Sequence, residues 1–575
     1  MGALSAWDYV VFALMLVISS SIGLYHGYKG SRKRASTDDY LLAGRSIGWF
    51  PLFVSLVASY LSAIALLGMP SEVYTYGIQY VIIMFSYPLI IAQCVFIYGP
   101  IFRRNHITSA NEYLELRFSK FVRLLGSLMF ILEYVLYLAV VLYAPSLALQ
   151  AVADLPMEIS LITTGLVCTV YTSIGGMKGV IWTDVFQTFI MVVGLIVVIS
   201  IGANDVGGMR KVFEISNQGG RLNFFNFNPD PRIRHTFVTL VFGGMFSGIP
   251  VYCVSQMMVQ RVLAGKSQRA VNIALLMNIP GLMFIVGLCA LAGLVMFAVY
   301  EKCDLKENHQ IKSNDQILAF FLVNKLDHLK GVPGIFMASL FSGALSTASS
   351  GLNSLAAVTY EDFVKTFHPN LSQHRATQIS KLIAFLYGLL VLGCAFLVSY
   401  VGTMVLQVAY SIHGIIGAPY MGMFAVGMLF PWGNSIGVCL GCLLGFSITL
   451  WLSVGAFMYP PDKNILDVSI EQCSSFNTTL TNSTGVISFP HHGYVNPFAS
   501  FYSVSYLWYA GIGLCVSFVF GCVFSLVFGR RGKREYNKDL LFNYSKLWSI
   551  ITCKRNNYHM GYASHIPMQR YPEKN

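Results

Sequence analysis

The sequence predicts an all-α polytopic membrane protein with about thirteen transmembrane helices, on three observations. Of its 575 residues, 55% are hydrophobic and only 11% charged, whereas a soluble globular chain carries about 25% charged residues. The apolar residues gather into runs long enough to cross a bilayer, which takes about 20 residues of helix. Two of those runs, five spans apart, are interrupted by glycine and proline. Disordered, collagen-like and ordinary soluble enzyme classes are excluded by the composition alone.

In chain order the runs fall at about 7–27, 48–71, 79–101, 124–150, 158–174, 180–202, 237–260, 271–299, 333–358, 381–400, 404–430, 435–457 and 505–529. The first is read as a retained helix and not a cleaved signal, because Asp8 precedes it and no basic region leads it. Residues 1–529 then form one membrane domain, with a polar loop at 458–504 and a basic tail at 530–575. The formal net charge of +12 would suggest nucleic-acid binding in a soluble protein. Here every Lys and Arg is assigned to a loop or tail flanking a span, as membrane topology requires.

Sorting those residues by side gives an orientation. Loops sharing a side with the C-terminus hold 27 of the 38 Lys and Arg, and the opposite side holds 11. Positive charge accumulates inside, so the C-terminus is expected in the cytoplasm and the N-terminus outside, in the plasma membrane. The loop 458–504 then lies outside, where Asn477 and Asn482 begin N-glycosylation acceptors. The acceptors at Asn370 and Asn543 fall inside and should be unused. Of twelve cysteines, Cys303 and Cys473 fall in outside loops, where an oxidising compartment leaves a disulfide open to them. No metal-ligand spacing, phosphate-cradling glycine motif or nucleophile elbow stands out, so no cofactor and no enzyme chemistry are expected. His413, alone in an apolar span, reads as a hydrogen-bonded core residue.

A membrane helix that breaks must find other partners for its backbone. The second run reads Ala58-Ser59-Tyr60-Leu61-Ser62-Ala63-Ile64-Ala65-Leu66-Leu67-Gly68-Met69-Pro70, and the seventh reads Phe242-Gly243-Gly244-Met245-Phe246-Ser247-Gly248-Ile249-Pro250. Paired discontinuous helices in opposite orientations point to a transporter with a midplane site, although glycine and proline are common in membrane helices. In the ninth run, Ser346, Ser349 and Ser350 stand at i, i+3 and i+4, so three hydroxyls share one helical face. Such a face suits either a hard cation, completed by free carbonyls, or small-residue helix packing. Buried acids cost about 2.5–3.5 kcal/mol or more at the bilayer centre. Asp184, with Gln187 one turn later, reads as either a coupling-ion relay or a cap near the inner end of its span. Glu133 lies deeper and reads as one half of a buried pair or as part of the transport path.

Three segments carry a resemblance to the sodium:solute symporter family: Gly175-Gly176-Met177-Lys178-Gly179-Val180-Ile181-Trp182-Thr183-Asp184, Ser255-Gln256-Met257-Met258-Val259-Gln260-Arg261 and Leu345-Ser346-Thr347-Ala348-Ser349-Ser350. The resemblance covers about residues 5–530. The run Gly68-Met69-Pro70-Ser71-Glu72-Val73-Tyr74-Thr75-Tyr76-Gly77 and Tyr143-Ala144-Pro145 are similar to the animal branch of multivitamin, monocarboxylate and iodide cotransporters. It implies a five-plus-five inverted-repeat core, about 48–202 and 237–430, with broken helices in spans 2 and 7. It further implies a sodium site built from the carbonyls of Ala58 and Leu61 and the hydroxyls of Ser346, Ser349 and Ser350. Asp184 would stand on the inner sodium exit path. The solute would lie near Ser62, Ala65, Tyr143 and Gln256.

Departures from relatives narrow the solute. Sugar-transporting relatives carry polar residues where this chain has Ile64-Ala65, and a sugar hydroxyl left unpaired there would cost about 1–3 kcal/mol. The iodide-type relative resembles a pattern with glutamine in place of Ala65. A small organic anion with an apolar body remains, such as a monocarboxylate, biotin or pantothenate. It would be met by helix dipoles and hydroxyls, since no cation is assigned to a span. Sodium import of that anion by alternating access is the reading. The alternatives are an inorganic-anion symporter, or a sodium-conducting sensor that accumulates nothing.

Overall fold

The structure, a computed structural model, describes residues 5–32, 37–105, 107–153, 156–325, 329–398, 404–460, 465–471, 473, 498–529 and 537–542. Among them the regular elements are helices, with one isolated parallel bridge between Ile47 and Gly265. Asn477, Asn482 and the basic run 530–534 lie outside the described residues.

We label the principal helices α1 (Ala6–Arg32), α2 (Trp49–Tyr60), α3 (Ala63–Tyr76), α4 (Ile78–Arg104), α5 (Glu112–Arg117), α6 (Lys120–Ala153) and α7 (Met157–Val206). The second half holds α8 (Thr239–Val254), α9 (Gln256–Ala264), α10 (Gln268–Tyr300), α11 (Val332–Val358), α12 (Gln373–Val398), α13 (Val405–Leu429), α14 (Ser435–Met458) and α15 (Trp508–Val527). Among the described residues ten helices are long and apolar enough to cross a membrane, and the bent pairs α2/α3 (57°) and α8/α9 (53°) raise the count to twelve. The thirteenth run expected from sequence corresponds to Met157–Val170, a shorter apolar stretch. At 1.5 Å per residue it reaches only about 20 Å. It does not end in a loop: α7 turns at Gly176, whose φ of 61° and ψ of −174° belong to glycine. A Cβ there would lie 2.6 Å from the ring of Tyr40.

Both breaks sit elsewhere than the glycine–proline pattern suggests. Pro70 lies within α3, and a Cβ at Gly68 would lie 2.7 Å from that of Leu406, so this glycine lets α13 approach. Gly244 and Gly248 serve α8 in the same way, against Ile83 and Ile90. The chain breaks at Leu61-Ser62 and at Ser255. Serine suits a break because its hydroxyl can cap the next helix: the Ser62 Oγ accepts from the Ile64 amide at 3.2 Å. The far ends of the two bent pairs are tied together, since Ile47 donates to the Ala264 carbonyl and accepts from the Lys266 amide.

Three peripheral contacts brace the bundle. Asp8, at the start of α1, accepts through Oδ1 from the amides of Gly331 (2.9 Å) and Gly334 (3.0 Å), so it caps α11. Residues 537–542 lie across α4, α5 and α13: Arg104 donates to the Asp539 carbonyl, Tyr113 to that of Leu540 (3.0 Å), and the Phe542 amide to that of Met428 (2.9 Å). The connection between α10 and α11 inserts Asn314 against Thr75 (2.9 Å) and Gln316 against the Leu147 carbonyl (3.4 Å), while Asp315 accepts from the Val405 amide at 3.0 Å. A disulfide between Cys303 and Cys473, with Cα atoms 4.9 Å apart, anchors that connection.

Burial pushes the carboxyl of Asp315 up to about 6. The protonated form is favoured in the folded chain, so this group's stabilising contribution is complete below about pH 4 and lost as pH rises through about 6. Ionised, it costs up to about 3 kcal/mol. Asp315→Asn should therefore melt higher than the native chain at pH 7.5. The gap should close as pH is lowered through 6 towards 4, as read by thermal unfolding of the purified protein.

Candidate functional site

The α2/α3 break leaves backbone acceptors without a helix. The ladder runs as far as the Leu61 amide on the Val57 carbonyl and resumes with the Ala65 and Leu66 amides on that of Ser62. The carbonyls of Ala58 to Leu61 fall in the gap. Helix α11 lies against it closely: a Cβ at Gly343 would lie 3.0 Å from the Ala63 nitrogen. Ser346, Ser349 and Ser350 are all buried on α11. Ser350 Oγ lies 3.3 Å from Ser59 Oγ across the helix pair, and Ser349 donates to the Ser346 carbonyl at 3.1 Å.

Asp184 stands on this same serine face. Its Oδ1 accepts from Ser346 at 2.6 Å and its Oδ2 from Ser55 at 2.5 Å. Its charge is met by Arg261, whose Nη2 is 3.0 Å from Oδ2. Arg261 also donates to Ser350, to Ser55 at 2.8 Å and to the Met257 carbonyl at 2.7 Å. Neither charged side chain has any exposed surface. This corrects the assignment of every basic residue to a loop. Arg261 lies near the end of α9, which continues as a buried helix past the break at Ser255, beyond the end of the apolar run.

The other expected residues distribute unevenly. Ser62 is at the break, and Tyr137 donates to its Oγ at 3.5 Å. Ala65 is buried one turn into α3. At the second break Ser255 shares a hydrogen bond with Tyr134. The tyrosines meeting the breaks are thus Tyr134 and Tyr137, whereas Tyr143 stands half-buried further along α6. The Gln256 amide is committed at both ends, accepting from the Ala110 amide (2.7 Å) and donating to the Thr108 carbonyl (3.1 Å). Gln187 donates to Ser19 of α1 at 3.3 Å, away from the serine face. Glu133 has a partner in His413, at 2.7 Å. Ser55 had a visible signal, since Ser55, Ser59 and Ser62 follow the i, i+4, i+7 spacing of one helix face.

The donor set suits a hard monovalent cation. Sodium takes neutral oxygens, and the face supplies hydroxyls beside freed carbonyls. Two further hydroxyls of α11, Ser342 and Thr347, are buried without a hydrogen-bond partner. Ser342 lies one turn before Ser346. No cluster of three His, Cys, Asp or Glu that could hold a metal occurs among the described residues.

The model of the sodium:solute symporter family matches residues 40–445. The chain belongs to this family. The human sodium-coupled monocarboxylate transporter 1 is 39% identical over 98% of the symporter and 94% of its own length. The rabbit (Oryctolagus cuniculus) sodium-dependent multivitamin transporter is 41% identical over 93% and 84%. A solved structure of a sodium-coupled sialic acid symporter superimposes with a TM-score of 0.73, at 23% identity, over 92% of this chain and all of the other. The likeness shows that this chain shares the fold of that symporter. The symporter is thus a sodium-coupled transporter and not an enzyme, and sodium is its coupling ion.

Removing Arg261 would strand Asp184 in a buried site, at a cost of about 3–5 kcal/mol. Arg261→Met should lower the melting temperature sharply. The double variant with Asp184→Asn, which leaves no buried charge, should recover part of that loss in the same thermal measurement.

Proposed function

We propose that sodium binds where the serine face of α11 meets the carbonyl gap of α2/α3, and that the solute is a small organic anion. One observation carries the sodium assignment: Ser346, Ser349 and Ser350 lie buried beside the gap holding the Ala58 and Leu61 carbonyls. Asp184 holds Ser346 in place, and Arg261 neutralises Asp184. Sodium bound here would pin α11 to the bent pair and so favour one arrangement of the halves over the other.

The solute reading is supported by the wall and by the relatives. Ile64 and Ala65 offer no hydrogen bonds to sugar hydroxyls. Relatives at about 40% identity are named for monocarboxylates and vitamins, and we extend that chemistry to this chain. The charge distribution favours a cytoplasmic C-terminus, an outside loop at 458–504 glycosylated at Asn477 and Asn482, and residence in the plasma membrane.

Energetics constrain the coupling. A potential near 60 mV supplies about 1.4 kcal/mol per charge, and a tenfold sodium gradient about as much again. An anion forfeits the electrical part when one sodium accompanies it. Two or more sodium ions per anion are therefore favoured.

Uptake into vesicles of labelled pyruvate, lactate, biotin, pantothenate and iodide, with and without a sodium gradient, tests the reading. Sodium-dependent accumulation of at least one organic anion is expected; a sodium-evoked current without accumulation would sink symport. Ser349→Ala with Ser350→Ala should raise the sodium concentration for half-maximal uptake about tenfold or more. An unchanged sodium dependence would return these hydroxyls to helix packing.

A further inference from the structure

Helix α6 places Glu133, Tyr134 and Tyr137 within little more than one turn, between the two breaks. Tyr134 meets Ser255 and Tyr137 meets Ser62. Facing them, α13 widens into a π turn over His413–Gly417, a distortion that recurs at functional sites. His413 Nδ1 lies 2.7 Å from Glu133 Oε1, and its ring packs on that of Tyr137 with centroids 4.6 Å apart. The carboxylate fits against α13 only because residue 417 has no side chain, since a Cβ there would lie 2.3 Å from Oε1.

An ionisable pair at membrane depth is costly, and the sodium site does not use this one. Asp184 and Arg261 neutralise each other. The His413–Glu133 pair, linked to Ser62 through Tyr137, has no role in holding sodium.

We propose that His413 is the specificity-determining residue for the solute's carboxylate, and that Glu133 is the positioning residue that orients it. This rests on the organic-anion reading above. With its Nδ1–H donated to Glu133, the imidazole turns Nε2 to the other side of the ring. When the ring carries a second proton, Nε2–H is a charge-assisted donor suited to a carboxylate. Glu133 offsets that charge while no solute is bound, and the Tyr137 ring packed on the imidazole carries its hydroxyl to Ser62. Ile64 and Ala65 then meet the apolar body of the same molecule. The other ionisable side chains around Glu133 are the phenols of Tyr134, Tyr137 and Tyr420, which carry no charge at neutral pH.

The test is sodium-driven uptake of labelled pyruvate by the full-length chain in proteoliposomes, with sodium-induced thermal stabilisation as the control for folding. His413→Gln keeps a donor for Glu133 but cannot carry charge. It should raise the KM for pyruvate about tenfold or more while leaving maximal uptake, and half-saturating sodium at saturating pyruvate, near the native values. Glu133→Gln should move KM in the same direction by less. An unchanged KM in His413→Gln would reduce the pair to packing and overturn the proposal. So would an equal rise for pyruvate and for iodide, since a carboxylate-specific contact would not produce it. Should His413→Gln lose its sodium stabilisation, the double variant with Glu133→Gln, whose amides pair without charge, makes the same comparison. If the native chain is driven by sodium to take up iodide but no carboxylate, the organic-anion reading itself fails and this assignment with it. That outcome is distinct from a native carboxylate transporter indifferent to His413.

Discussion

A carboxylate and a guanidinium, both without exposed surface, meet where four helices converge. Asp184 comes from α7, Arg261 from α9, Ser55 from α2, and Ser346 and Ser350 from α11. The pair draws its partners from both bent spans at once. Two charges removed from water need each other and also need every remaining donor and acceptor satisfied. Those needs are met by the hydroxyls of the serine face. Helix α11 therefore cannot move relative to the bent pairs without disturbing a buried ion pair. The serine face and the charge pair constitute one polar core.

The second organising element is α6. Its tyrosines touch a serine at each break, so one continuous helix registers two discontinuous ones. Breaks made at serines and not at glycines keep hydroxyls at the point where the backbone opens. A glycine there would loosen the chain without replacing the lost hydrogen bonds.

Much of this was legible in the sequence, and the rest was hidden for physical reasons. Spans such as 435–457 and 333–358 appear within a residue or so as Ser435–Met458 and Val332–Val358, because apolar run length is a direct record of bilayer thickness. The serine face of α11 was legible because helical period puts i, i+3 and i+4 together. The first break falls inside its quoted run, at Leu61-Ser62, but the second was not legible. It falls at Ser255, past Phe242–Pro250, since Gly244 and Gly248 answer to close packing by another helix, which leaves the same residues in the sequence as a break does. Arg261 was assigned to a loop because run length cannot see a buried helix after a break. His413 was legible as a hydrogen-bonded core residue, but its partner, 280 residues away, was not. Gln256 was expected at the solute, yet its amide is spent on backbone at Thr108 and Ala110, a use no local pattern records.

The cap that Asp8 provides to α11 bears on any attempt to trim the protein. Helix α1 lies outside the proposed five-plus-five core and would be the first element to delete in engineering a minimal transporter. Its carboxylate, however, satisfies two first-turn amides of the helix carrying the serine face. Gly334 admits the α1 backbone so closely that a Cβ would lie 2.6 Å from the Asp8 carbonyl oxygen. Without α1 those amides would lose the side-chain acceptor that caps the helix. The helix that appears dispensable is a splint for the one that cannot be spared, and a workable ten-helix miniature would need a replacement cap built into residues 329–334.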